Sequence, residues 1–279
     1  QGLRDGEERR NGQRCRGDSV RGVVSAAMRI GARVASAWPL LANAGLCRPG
    51  VKLHGSGFLV SINKARQLGY EPNSEAQGVI SIYRNGRDLN QKPRHVLVID
   101  VFGLSEDEVR SQHPKVYQHL HSEVKPERDA NRDQWIRENW WIFGRPRPEL
   151  RDARRNLSRS IVTTETSKHR FFQFIDSKTL PDNMVLNFAS SHAEHLAIVS
   201  SKLHVRWALA SGGTLEDRPR YNSTVCFDPF PFPDLSDKPA LKARLDELGE
   251  RLDAHRKSVL ERHDFLLALI HISEPTRPD

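Results

Sequence analysis

Short apolar runs of strand length alternate along this chain with longer charged stretches of helical character, and that alternation narrows its fold more than any other feature. The runs are "GSGFLVSI" (55–62), "GVISIYRNG" (78–86), "RHVLVIDVF" (94–102), "SIVTTET" (160–166), "HRFFQFID" (169–176) and "DNMVLNFAS" (182–190). Their β-branched and aromatic content, flanked by Gly, Pro and Asn, predicts strands. Between and after them, residues 105–141, a helix-length stretch to Arg159, residues 192–211 and residues 237–263 read as helical. Ser105 is the expected N-cap of the first, with Glu108 at the capping-box position. In the last, Leu241, Leu245, Leu248, Leu252 and Val259 recur at helical spacing, so a helix packed on its own domain is expected there. The class that fits is α+β: a mixed β-sheet with packed helices and a C-terminal amphipathic helix.

Charge bears on the partner. Of 279 residues, 43 are Lys or Arg and 35 are Asp or Glu, a formal charge of +8. This favours a polyanion but leaves an ordinary enzyme open as well. No run of about 18 apolar residues appears, so no membrane span is predicted. The stretch from Val20 to Leu46 is too broken by polar residues, Arg29 and Arg33 among them, for a signal peptide. Cys15, Cys47 and Cys226 are odd in number and far apart, which reads as unpaired thiols in a reducing, cytoplasmic compartment.

Several chemistries are excluded by what is missing. The sequence has no GxxxxGK[ST], HExxH, GxSxG or helix-opening GxGxxG. Asp100 ends an apolar strand and reads as a capping carboxylate. His192 and His195 stand three apart with no third ligand, so they read as helix-surface histidines and no metal site is assigned. Trp140 and Trp141 read as core. "PERD" and "RPEL" do not supply the paired carboxylates of a nuclease.

Basic residues recur instead at turns and element ends: Arg84 and Arg87, Lys125, Arg128 and Arg132, Arg145 and Arg147, then Lys168, His169 and Arg170 directly before Phe171 and Phe172. Groups so placed can reach a phosphate backbone from several directions, although for any single one a solvated surface charge is the better reading, and a core histidine is the alternative for His169. The segment "GGTLEDRPRYNST" (212–224) has a glycine pair for a flexible entry, then Glu216, Arg218, Arg220, Tyr221 and Asn222. Arg matches guanine O6 and N7, Glu the cytosine amino group and Asn adenine, so the segment holds the donors and acceptors of major-groove readout. An internally salt-bridged loop would use the same residues. "CFDPFPFPD" (226–234) interleaves three prolines with aromatics and predicts a rigid extended strap whose phenylalanines dock into the fold.

Taken together, "ANAGLC", "GVKLHGSGFLV", "YRNGRDL", "VKPERDANR" with "ENWWIFGRPRPELR", "TTETSKHRFF", "SSKLHVRWALASGGTLEDRPRYNST" and "FDPFPFP" resemble the C-terminal target-recognition region of the MmeI-type family, from about Ala42 to about His263. These are class I S-adenosylmethionine-dependent DNA methyltransferases, often fused to a nuclease in type IIG restriction-modification enzymes. The resemblance implies double-stranded DNA as partner, with base readout by Glu216, Arg218, Arg220 and Asn222. Backbone contacts are implied for Arg84, Arg87, Lys125, Arg128, Arg145, Lys168, His169 and Arg170. It also implies an upstream adenine-N6 methyltransferase domain in the same polypeptide, which would hold S-adenosylmethionine. The cofactor glycine motif and catalytic tetrapeptide of that domain do not occur in the present sequence, so no catalytic residue and no cofactor is assigned to it. The alternative is a structural or protein-interaction domain with an incidental basic surface.

The expected organisation is an atypical or poorly ordered segment 1–35, a recognition domain 36–235, a helical segment 236–265 and a non-native tail 266–279. The missing initiator Met suggests a fragment.

Overall fold

The computed structural model describes residues 37–71, 78–91, 93–215 and 218–262, so the expectations for residues 1–35, 266–279 and Glu216 lie outside the described residues. Through the first half run β1 (Cys47–Pro49), β2 (Leu59–Val60), α1 (Ile62–Gln67), β3 (Ile80–Arg84), α2 (Gly86–Asn90), β4 (Leu97–Ile99), α3 (Glu106–Gln112), α4 (Pro114–Glu123), α5 (Lys125–Asp129), α6 (Gln134–Glu138) and α7 (Pro148–Arg154). There follow β5 (Arg159–Thr164), β6 (Gln173–Asp176), β7 (Thr179–Pro181), β8 (Val185–Phe188), α8 (Ala193–Ser200), α9 (Lys202–Ser211), β9 (Thr214–Leu215), β10 (Arg218–Pro219) and α10 (Pro239–Arg262). The fold is α+β.

Two four-stranded sheets form the frame. One has the order β1-β8-β5-β6 and is antiparallel throughout. The other, β2-β4-β3-β7, is antiparallel except for the parallel pair β3–β7. Only residues 182–184 separate β7 in one sheet from β8 in the other. Strand β5 is buried on both faces, and the two-residue side-chain period sends Ile161 and Val162 into different cores. Ile161 packs with Phe172, Phe188, Leu196, Tyr221 and Phe227, whereas Val162 packs with Leu89, Phe171, Ile175 and Val185. A third core, around Phe58, Val98, Ile99, Leu120 and Phe143, fills the second sheet against α3 and α4.

Helix boundaries follow local chemistry. Ser105 accepts from Glu108 N while the Glu108 carboxylate accepts from Ser105 N, so the capping box opens α3. The predicted helical run from 105 to 141 is nevertheless four helices. Pro114 and Pro126 sit in the first turns of α4 and α5, where a missing N–H is harmless. Asp133 opens α6 by accepting from Trp135 N at 3.0 Å. The stretch 192–211 is likewise two helices, broken at Ser201, which caps α9 through His204 N at 3.2 Å. The predicted strap starting at Cys226 is also modified, because Ser223–Phe227 forms a π-helical turn before the prolines.

The C-terminal helix packs on its own domain, but not by the leucine stripe alone. Leu241 and Leu248 are exposed, and the face against α8 and β6 carries Asp246, Gly249 and Asp253. Each of these lies one residue beyond a stripe position, a rotation of about 100°. Two backbone donors account for the turn: Phe174 N donates to Asp253 Oδ1 at 2.9 Å and Glu194 N to Asp246 Oδ1 at 3.0 Å. Arg159 adds an ion pair to Glu250.

Candidate nucleic-acid interface

Strands β9 and β10 make an antiparallel hairpin with Arg218 opposite Leu215 and Pro219 opposite Thr214. Thr214, Leu215 and Arg218 are exposed, so the hairpin presents side chains to solvent. Its base is fastened to the end of β5 and the residues after it. Tyr221 N donates to Glu165 O at 2.6 Å, Ser167 N to Pro219 O at 3.4 Å, and Arg220 N to Gly213 O at 3.1 Å. The glycine pair is no flexible entry. Gly213 has φ of 67°, and a Cβ on Gly212 would lie 2.0 Å from Arg220 O, so the hairpin is closed tightly there.

Within the segment assigned to base readout, roles separate. Arg218 is exposed on β10. Arg220 pairs with Glu165, Nη2 to Oε1 at 2.6 Å, an ion pair to a residue outside the segment rather than one within it. Asn222 is a cap: its Oδ1 accepts from Thr224 N at 2.9 Å and from Thr224 Oγ1 at 2.8 Å. The Asn-Ser-Thr order was the available signal for that role.

Two of the cations assigned to the DNA backbone point inward, and those assignments are corrected. Arg128 is fully buried; its Nη2 donates to Leu53 O at 2.7 Å and Ile142 O at 3.0 Å, and its guanidinium lies 5.2 Å from the Phe58 ring centre. Arg170 donates through Nη1 to Thr163 Oγ1 (3.1 Å) and Thr164 O, and through Nη2 to Glu165 O (3.3 Å) and Pro219 O (3.0 Å). Burial pulls the pKa of each down to about 10, which leaves both charged at neutral pH. An arginine can be interior where carbonyls from distant segments converge on its fork, and neighbouring residues in sequence do not reveal that.

The other cations divide by exposure. Lys168, His169 and Arg145 are exposed, as is Arg87, whose Nε donates to Gln91 Oε1 at 3.1 Å. Lys125 is half-buried and held by Asp129 at 2.7 Å, with Trp140 beneath it. Arg84 is half-buried at the end of β3, and burial lowers its pKa. Lys52, which sequence reasoning passed over, is exposed and bridges Arg145 across the backbone. Behind the "SKHRFF" segment, Phe171 and Phe172 are both buried, in different cores.

Among the described residues no three His, Cys, Asp or Glu side chains are grouped to hold a metal ion, and no helix is long and apolar enough to cross a membrane. His192 is exposed, whereas His195 is half-buried with Nδ1 2.8 Å from Ser190 Oγ, and burial lowers its pKa. Asp100 accepts from Phe102 N at 3.3 Å and from Arg151 Nη1 at 2.7 Å. Trp140 is buried, and Trp141 donates to Leu104 O at 3.0 Å.

Comparison with known proteins gives this arrangement a family. A solved structure of the type IIL restriction-modification enzyme MmeI in complex with DNA matches with a TM-score of 0.57 at 18% identity, over 71% of this chain and 26% of that one. At that identity the match speaks for the fold. DNA methyltransferase A of Bacillus subtilis (strain 168) is 28% identical over 92 residues, 32% of this chain and 10% of that protein. The chain thus spans about a tenth of the curated relative and about a quarter of the solved chain. The family model described as "MmeI, target recognition domain" matches residues 46–234, about two thirds of the sequence, from β1 through the β9–β10 hairpin to the proline strap. The chain belongs to the MmeI target recognition domain family.

Proposed function

We propose that this chain reads the sequence of double-stranded DNA as the target-recognition part of an adenine-N6 DNA methyltransferase or restriction-modification enzyme. The observation that carries the reading is the β9–β10 hairpin, anchored at its base and exposing Arg218, two residues after Glu216 in sequence. An Arg on guanine O6 and N7 and a Glu on the cytosine amino group discriminate by about 1–3 kcal/mol per contact. Lys52, Arg87, Arg145, Lys168 and His169 are among the exposed groups available to the phosphates. They would set register and affinity, and the hairpin sequence choice.

S-adenosylmethionine belongs, in this reading, to an upstream methyltransferase domain of the same polypeptide. The glycine-bearing "GSGF" of this chain does not fit the cofactor: a Cβ on Gly57 would lie 2.6 Å from Glu123 O, so that turn is packed against α4. The chain acts before any chemistry, by positioning the duplex.

A second reading, a protein-docking module, has one observation in its favour, the exposed Leu241 and Leu248 on α10. Salt separates the two. Titrating the chain with duplex DNA from 50 to 300 mM salt should give a log–log slope near −5 if about six phosphates are neutralised. A slope near zero, or no binding at low salt, would sink the DNA reading.

A further inference from the structure

Arg170 is the one cation of the Lys168–His169–Arg170 triplet that turns inward, and its surroundings explain why. Its four acceptors are neutral oxygens from two separate places: Thr163, Thr164 and Glu165 at the end of β5, and Pro219 on β10. One rigid guanidinium therefore spans the sheet and the hairpin. Its face lies over Tyr221, 5.1 Å from the ring centre. Tyr221 is fully buried, and its Oη is 2.9 Å from Nε2 of His204, also fully buried on α9. Helix α9 leads through Gly212 and Gly213 into β9, and β10 leads through Arg220 into Tyr221. Both ends of the hairpin are thus referred to the same buried group.

Placing an arginine there carries a cost. Desolvating a guanidinium loses several kcal/mol, and among the described residues its hydrogen-bond acceptors are neutral oxygens rather than carboxylates. Replacing buried charge with apolar side chains of similar volume is often neutral or stabilising, so stability alone does not account for the residue. What the planar fork supplies is geometry, because its N–H directions are fixed relative to one another. Base readout needs that: a bidentate contact tolerates displacements of only about 0.5 Å.

We infer that Arg170, backed by Tyr221 and His204, is a positioning residue for sequence discrimination, holding the β9–β10 hairpin in register without touching DNA. This rests on the DNA-reading function proposed above. The test uses the full 279-residue chain. The wild type is first taken through selection on a randomised duplex pool to define its preferred site. Arg170→Leu, Arg170→Lys and Tyr221→Phe are then titrated on that duplex and on versions with single base pairs changed, across salt concentration.

A positioning role predicts an unchanged salt slope in all three variants. It also predicts a fall in discrimination of about tenfold confined to the base pairs read by the hairpin, which Arg170→Lys does not rescue. Amide exchange at Ser167 and Tyr221 should quicken about tenfold while Val162 in β5 keeps its protection. A phosphate contact predicts the reverse: Arg170→Leu flattens the slope by about one and Arg170→Lys restores it. That result, or an equal loss at every base pair, overturns the inference. Should Arg170→Leu not fold, Arg170→Lys and Tyr221→Phe still decide between the outcomes. A wild-type chain that enriches no sequence overturns the DNA reading itself, and the inference with it.

Discussion

Lys52 and Arg145 exchange both backbone hydrogen bonds, Lys52 N to Arg145 O at 3.1 Å and Arg145 N to Lys52 O at 3.0 Å. In an antiparallel bridge this sets the two side chains opposite each other on one face. Like charges so placed repel, at a cost of about 0.2–1 kcal/mol, unless an anion lies between them. Lys52→Ala is therefore expected to leave the free chain as stable or slightly more so, while weakening all duplexes alike and flattening the salt slope by about one. Arg145→Ala should do the same. Urea unfolding and salt titration check the two halves, and a variant that changes discrimination without changing slope would contradict the assignment.

Gly249 lies within α10, where alanine would ordinarily gain about 1 kcal/mol. Its added Cβ would stand 2.0 Å from Ala193 O, the place where α10 meets the first turn of α8. Backbone overlap outweighs propensity. Gly249→Ala is expected to lose about 1–3 kcal/mol in urea unfolding and to expose residues 239–262 to limited proteolysis. An unchanged midpoint would mean that the helix is held elsewhere.

Burial, with Arg170 nearby, pulls the pKa of His204 down to about 3. An unfolded histidine titrates near 6.5. Because the folded pKa is the lower one, the unfolded chain takes up the extra proton as pH falls. The stability present above about pH 6.5 is then lost between about 6.5 and 3, at a slope approaching 1.4 kcal/mol per pH unit. Asp88 and Glu250, whose pKa values are lowered in the fold, add losses in the acid part of that range. The difference between wild type and His204→Gln, followed by urea midpoint from pH 7 to 4, isolates the histidine. Parallel curves would refute it.

Exchanging the charges at positions 216 and 218, Glu216→Arg with Arg218→Glu, is expected in the parent enzyme proposed above to change the preferred base pair at one position and leave catalysis intact. The discrimination at stake is about 1–3 kcal/mol per contact. Sequencing of modified sites on a plasmid library reads the outcome. Even loss on every site would move specificity to residues 171–190.

What could be read in advance depended on how local the cause was. The capping box at Ser105 and Glu108 is complete within four residues, and it was legible. So were the strand runs, whose alternation is set by near neighbours. The orientation of α10 was not, because it is fixed by the amide hydrogens of Phe174 and Glu194, which lie far away in sequence. Arg128 was misread for the same reason, since the carbonyls that receive it come from Leu53 and Ile142, and Arg170 in part, since Pro219 O is far away although Thr163, Thr164 and Glu165 are near neighbours. The cap role of Asn222 was local and could have been seen.

The hairpin is gripped through main-chain atoms and buried side chains, while Thr214, Leu215 and Arg218 face outward. Its grip is therefore indifferent to which side chains stand at those outward positions. A lineage can alter those outward positions one codon at a time, and every intermediate keeps the same scaffold. On the proposed reading, divergence in target preference then proceeds by ordinary point substitution, without passing through a misfolded ancestor.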